Sequence, residues 1–125
     1  MVNQRSIVVL AVFLFFLHAI EEYATGFPTT DSSVLWLSGL INLTSLTVRL
    51  SIQVAVFVFL LVLYRFPSQR FLWIVLLVVI VSELSHLLFA LREHAYYPGL
   101  FTALLLLSLG WLVYRTSFQT LRQPK

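Results

Sequence analysis

The stretch SIVVLAVFLFFLHAIEEY, residues 6–23, decides how this chain folds. Ile7 to Leu17 are apolar without a break, and His18, Glu21 and Glu22 then arrive together. A bilayer core about 30 Å thick is crossed by roughly 20 mainly apolar helical residues. Working outward, three further stretches read the same way: residues 46–64, 71–91 and 99–114. Turn chemistry separates them at Gly26-Phe27-Pro28, Phe66-Pro67-Ser68 and Tyr97-Pro98-Gly99. Val34–Asn42 is apolar but shorter, with Asp31-Ser32-Ser33 placed to cap it. The prediction is all-α: a four-span transmembrane helical bundle forming one domain over residues 1–125. A short interfacial or re-entrant helix is expected between spans one and two.

Composition agrees. The 125 residues are 60% hydrophobic and 10% charged, whereas a soluble domain carries about 25% charged residues. Such a chain cannot cover itself with polar side chains, so lipid is its natural solvent. Cysteine is absent, which removes thiol and iron–sulfur chemistry. The net charge of +3 comes from basic residues scattered at the ends of apolar runs, so a nucleic-acid partner is not expected. Arg5, Arg65, Arg70, Arg115, Arg122 and Lys125 fall on one side of a four-span bundle, which places both termini in the cytoplasm. The first span also carries features of a secretory signal, with Arg5 ahead of the apolar run and Leu17-His18-Ala19 resembling a cleavage site. The Glu-Glu pair at its end favours a span that stays in the membrane.

Ionisable groups inside a span are costly and mark functional sites. At about 1.5 Å per residue, His18 lies roughly 18 Å up the first span, with Glu21 and Glu22 above it. Glu83 and His86 lie about 20–24 Å along the third, and Arg49 about 24 Å back from Arg65 on the second. Three helices thus bring their charges to one depth, in the outer half of the membrane. His18, Glu21 and Glu22 share a helical face, as do Glu83 and His86, with Ala90 leaving room and Glu93 and His94 continuing the edge. Asn42, Thr44, Ser45 and Gln53 are candidates to line an approach.

Histidine and carboxylate three residues apart on facing helices is the ligand pattern of metal sites in helical bundles. Glu83-Leu84-Ser85-His86 supplies one such motif, and His18-Ala19-Ile20-Glu21-Glu22 a reversed, doubled one. Nitrogen and oxygen ligands without sulfur suit a divalent Zn, Fe or Mn ion. On this reading His18, Glu21 and His86 hold the metal. Glu22 and Glu83 are the catalytic carboxylates: Glu22 is the general base for water, and Glu83 a ligand or orienter. Arg49 and His94 form the site edge. Spacing leaves open which of Glu21 and Glu22 points inward. The expected activity is hydrolase-like, on a lipid-like or membrane-soluble substrate. Other readings remain: a metal-free acid–base isomerase or cyclase of an isoprenoid-like lipid, a structural or partner-binding subunit held by ion pairs, a proton or ion path, or haem between His18 and His86, which the glutamates disfavour. A homodimer is compatible with so thin a bundle, but no Gly-x-x-x-Gly motif specifies one.

His18-Ala19-Ile20-Glu21-Glu22 at the end of the first span resembles the HXXEE domain family of small bacterial integral membrane proteins. The likeness extends to His86 late in the third span and to Tyr97-Pro98-Gly99 with Thr102 opening the fourth. It implies a place in a bacterial inner membrane and singles out His18, Glu21, Glu22 and His86, with Pro98 and Gly99 as a turn. It carries no established activity.

Overall fold

A computed structural model describes residues 3–119; Arg122 and Lys125, counted above with the basic side, lie outside the described residues. Among the described residues, seven helices follow one another: α1 Gln4–Ala24, α2 Phe27–Thr30, α3 Ser32–Ile41, α4 Ser45–Arg65, α5 Arg70–Ser82, α6 Leu84–Glu93 and α7 Leu100–Gln119. No strand occurs among the described residues. Three helical segments, α1, α4 and the α5–α6 pair over Arg70–Glu93, are long and apolar enough to cross a membrane. The apolar part of α7, Leu100–Arg115, is shorter. The all-α reading therefore holds, while length and composition establish three membrane-length segments and not the four that were expected.

Local chemistry sets the ends. Asn3 caps α1 by accepting from Arg5 N at 3.0 Å, Asp31 caps α3 through Val34 N at 2.9 Å, and Thr44 caps α4 through Thr47 N at 3.2 Å. The capping role foreseen for Asp31 is realised. Thr44 serves as a cap, not as a wall of an approach, and Gln53 donates to the Phe15 carbonyl at 3.2 Å.

The buried residues of α1 are Ile7, Val8, Ala11, Leu14, Phe15, His18, Ala19 and Glu22. They form one stripe at helical spacing, so His18 and Glu22 prolong the apolar seam inward. α1 and α5 pack on α7, as does α6, while α4 packs on α1, α2 and α3. The main core gathers Val8, Leu60, Leu63, Trp73, Leu76, Ile80, Leu106 and Val113. Gly110 lets α7 close on α5, since a Cβ there would stand 2.9 Å from Ile80 Cγ2. A second, smaller core joins Phe27, Val34 and Val48.

The outward faces are apolar: Phe13, Phe16, Val58, Leu61, Phe71, Val78 and Phe101 are each more than half exposed. The interior holds His18, Glu22, Glu83 and His86. Apolar outside with charge inside reverses the soluble pattern and suits helices solvated by lipid.

The third segment is not continuous. α5 stops at Ser82 and α6 restarts at Leu84. Around Glu83 the bonds tighten to i→i+3 spacing, with Glu83 N donating to Ile80 O and His86 N to Glu83 O, both at 3.1 Å. Such a tight turn within a helix often marks a functional position. Here it carries Glu83 and aims it at α1.

Candidate metal centre

Four side-chain atoms from two helical segments converge. His18 Nε2 lies 2.9 Å from Glu83 Oε2 and 3.3 Å from Glu22 Oε1. His86 Nε2 lies 3.3 Å from Glu83 Oε2 and 3.6 Å from Glu22 Oε1. The two imidazoles meet edge to face with centroids 5.0 Å apart. His18 is 1% and Glu22 0% exposed, so water cannot solvate these charges.

The outer nitrogen of each ring is committed. His86 Nδ1 lies 2.6 Å from the Pro98 carbonyl, which can only accept, so Nδ1 carries the proton. Thr102 Oγ1 donates to Glu21 Oε2 at 2.6 Å and therefore accepts from His18 Nδ1 at 2.7 Å. In both rings Nε2 is thereby left facing the carboxylates. Fixing one ring nitrogen by an outer partner so that the other is free is how proteins orient metal-binding histidines.

The convergent atoms do not satisfy one another. His18 Nε2, Glu22 Oε1 and Glu83 Oε2 are buried without a hydrogen-bond partner, although the nitrogen and the Glu83 oxygen are only 2.9 Å apart. Ligand atoms about 2.0–2.1 Å from a tetrahedral ion stand roughly 3.4 Å apart, and the four N···O separations bracket that value. His18, Glu22 and His86 each offer an atom within 4.8 Å of the others. The donor set fits a divalent ion.

Arg49 closes one flank. Its Nε donates to Glu22 Oε2 at 2.9 Å, Nη2 contacts the same oxygen, and its Cζ sits 4.9 Å from the Phe27 ring centroid. Phe27 also stacks on His86 at 5.2 Å, so one ring covers both. Gly99 covers the centre from the turn ahead of α7. With φ +83°, it takes a left-handed conformation, and a Cβ there would lie 2.7 Å from His18 Cε1 and 3.0 Å from both His86 Cε1 and Glu22 Cγ.

Glu21 turns away from the histidine pair that it was expected to join. Its Oε2 accepts from Thr102 N at 2.8 Å as well as from the Thr102 hydroxyl, while Oε1 accepts from Phe101 N at 3.1 Å and from the Tyr96 hydroxyl. The carboxylate thus caps the start of α7, where free N–H groups and the helix dipole favour negative charge. One residue further along α1, Glu22 is rotated by a helical step onto the buried stripe. His94, expected at the site edge, ends α6 as an exposed left-handed residue with φ 49°. Glu93 is exposed beside it and pairs with Arg92 at 3.5 Å. The αL turn stops α6 before either side chain can reach inward.

Several residues of the site escaped the sequence reading. Asp31 accepts from the Tyr97 hydroxyl at 2.7 Å, which fixes the Tyr97–Gly99 turn over α3. Burial, and then the Asp31 carboxylate, hold the Tyr97 phenol above its ordinary range. A cavity of about 250 Å³ reaches the centre, with Arg49, Glu83 and His86 in its wall.

A family model described as a protein of unknown function with HXXEE motif matches residues 9–114. That span covers most of the chain, and the chain belongs to the HXXEE family. No curated protein and no solved structure matches it.

Proposed function

Starting from membership of the HXXEE family, we propose that this chain is a membrane-embedded, metal-dependent enzyme acting on a lipid-like substrate. One observation carries the reading: two buried imidazoles, each with Nδ1 committed to an outer oxygen, present Nε2 to carboxylate oxygens of Glu22 and Glu83. His18, His86 and Glu22 are the residues that would hold a divalent ion such as Zn, Fe or Mn, with Glu83 beside them. A bound ion supplies Lewis acidity and offsets the two buried negative charges. Arg49 anchors Glu22 through Oε2. Glu21 takes no ligand position; it acts through Thr102 to orient His18. Glu83, on the interrupted turn and facing the cavity, is the carboxylate best placed to take a proton from a bound substrate.

In this proposal α7 forms a fourth, shorter span beside α1 and α5, and the chain is one domain in a bacterial inner membrane. Arg5, Arg65, Arg70 and Arg115 mark the cytoplasmic side. A reporter fused after Lys125 is then active in the cytoplasm and silent outside.

Elemental analysis of purified protein tests the centre. One equivalent of metal, lost in both His18→Ala and His86→Ala, is expected. A folded, metal-free wild type would overturn the reading in favour of protonated histidines. The same N···O contacts would then be ion pairs, serving acid–base isomerisation of a lipid or simply holding the helices together.

A further inference from the structure

The cavity beside the centre has a mouth, and its position is informative. α4 belongs to the half of the molecule packed with α1, α2 and α3, whereas α5 and α6 lie against α7. The cavity falls between these halves. Its exposed lining residues are Ile52 on α4, 37% exposed, Ser82 at the end of α5 and Ser33 at the start of α3. Ile52 is about 10 Å from the Ser45 end of its helix and about 20 Å from the Arg65 end. Ser82 is about 18 Å from Arg70 and about 16 Å from Glu93. Ile52 and Ser82 therefore sit within membrane-length helices, at the depth of acyl chains and not of head groups.

The lining says what fits. Phe27, Val34, Leu37, Ile52 and Phe89 supply apolar wall. Each charge at the inner end already faces a partner: Arg49 with Glu22, Asp31 with Tyr97 and Val34, Glu83 with the two histidines. What is left to recognise a ligand is uncharged, namely the hydroxyls of Ser33 and Ser85, which line the cavity. A volume of about 250 Å³ equals about eight waters at roughly 30 Å³ each. That holds one polar head with the start of one chain and is too small to take in a second chain beside it.

We propose that the cleft between α4 and α5–α6 is a lateral port through which a single-chain lipid with an uncharged oxygen-bearing head, an alcohol, aldehyde or ester, enters from the bilayer. Its head lies among Ser33, Ser85 and the His86–Glu83 wall, and its chain leaves past Ile52 into lipid. This substrate class rests on the proposed metal centre, but the port can be tested apart from it.

The full chain in phosphatidylcholine nanodiscs is photolabelled with a diazirine-bearing long-chain alcohol and with the corresponding fatty acid, and labelled peptides are mapped. Saturable labelling by the alcohol at Val34, Leu37 and Phe89 is expected, with the acid at least about tenfold weaker. Ile52→Trp, which fills the mouth, should lower labelling about tenfold, and Leu61→Trp on the outer face of α4 should leave it unchanged. Ser85→Ala, which alters no packing volume of note, should weaken competition by unlabelled alcohol. Non-saturable labelling shared equally with Leu61 and Val78, or an acid that labels as well as the alcohol, would overturn the port. So would folded Ile52→Trp and Ser85→Ala variants that both label like wild type. Metal content is measured on the same samples. Saturable labelling of a metal-free protein refutes the centre and keeps the port; bound metal with unsaturable labelling does the reverse.

Discussion

The Thr102 hydroxyl lies 2.7 Å from His18 Nδ1 and joins the N-terminus of α7 to the C-terminal part of the buried seam of α1. Because the same hydroxyl donates to Glu21, it is an acceptor toward His18. The two glutamates of the motif therefore divide their work, Glu22 facing the histidines and Glu21 setting the histidine's tautomer through a threonine.

Thr102→Val keeps the shape of the side chain and removes that acceptor. Metal affinity is expected to fall about 10- to 100-fold, the usual cost of losing a histidine's outer partner, while Thr102→Ser stays near wild type. Competition with a graded chelator reads this out. Wild-type affinity in Thr102→Val would rule out the orienting role.

Glu22→Gln leaves the Arg49 guanidinium without its carboxylate. Losing one member of a buried ion pair costs about 3–5 kcal/mol, so a large drop in unfolding stability is expected. Adding Arg49→Met should recover much of the stability and none of the metal binding. A double-mutant cycle that proves additive would show that the two residues do not interact.

Two glycines make a contrast. Gly99→Ala forces a Cβ against His18, His86 and Glu22 and adds roughly 1–2 kcal/mol of left-handed strain; reduced stability and reduced metal occupancy are expected together. Gly39→Ala, inside α3 with nothing within 4 Å of the added Cβ, should stabilise by about 0.5–1 kcal/mol. Equal behaviour of the two variants would contradict the close cover over the centre.

Tyr97→Phe removes a donor from the buried Asp31 carboxylate and should cost about 1–3 kcal/mol. The folded phenol holds its proton above the ordinary value, so the unfolded chain binds fewer protons as the phenol ionises. Its stabilising effect is complete below about pH 10 and lost as pH climbs through the raised folded value. Wild type and Tyr97→Phe, unfolded side by side across alkaline pH, should converge only above that range. Convergence near neutrality would sink the assignment.

Much of the site was legible because helices are periodic and ionisable groups in lipid are few. His18, Glu83, His86 and Arg49 were placed at one depth by counting residues, and all four meet at Glu22 or at one another. The choice between Glu21 and Glu22 was not legible, since neighbours on a helix differ by a rotation whose zero is set by packing. Nothing in Val81–Leu84 announces the break at Glu83, which has neither proline nor glycine beside it. His94 and Glu93 continued the right stripe on paper, but an αL residue ended the helix before the stripe could matter.

By itself, the sequence determined that the chain is helical, that its long helices belong in lipid, and how far along those helices its scarce charges lie. Those properties follow from composition and from a fixed rise per residue. Tertiary structure alone decided which glutamate faces the histidines, that Thr102 and Gly99 shape the centre from the start of α7 and the turn ahead of it, and that α4 stands apart from α5–α6 to leave a cavity. Each depends on how helices rotate and approach one another. In lipid that is set by close packing and polar contacts between helices, neither of which is written in the spacing of any one of them.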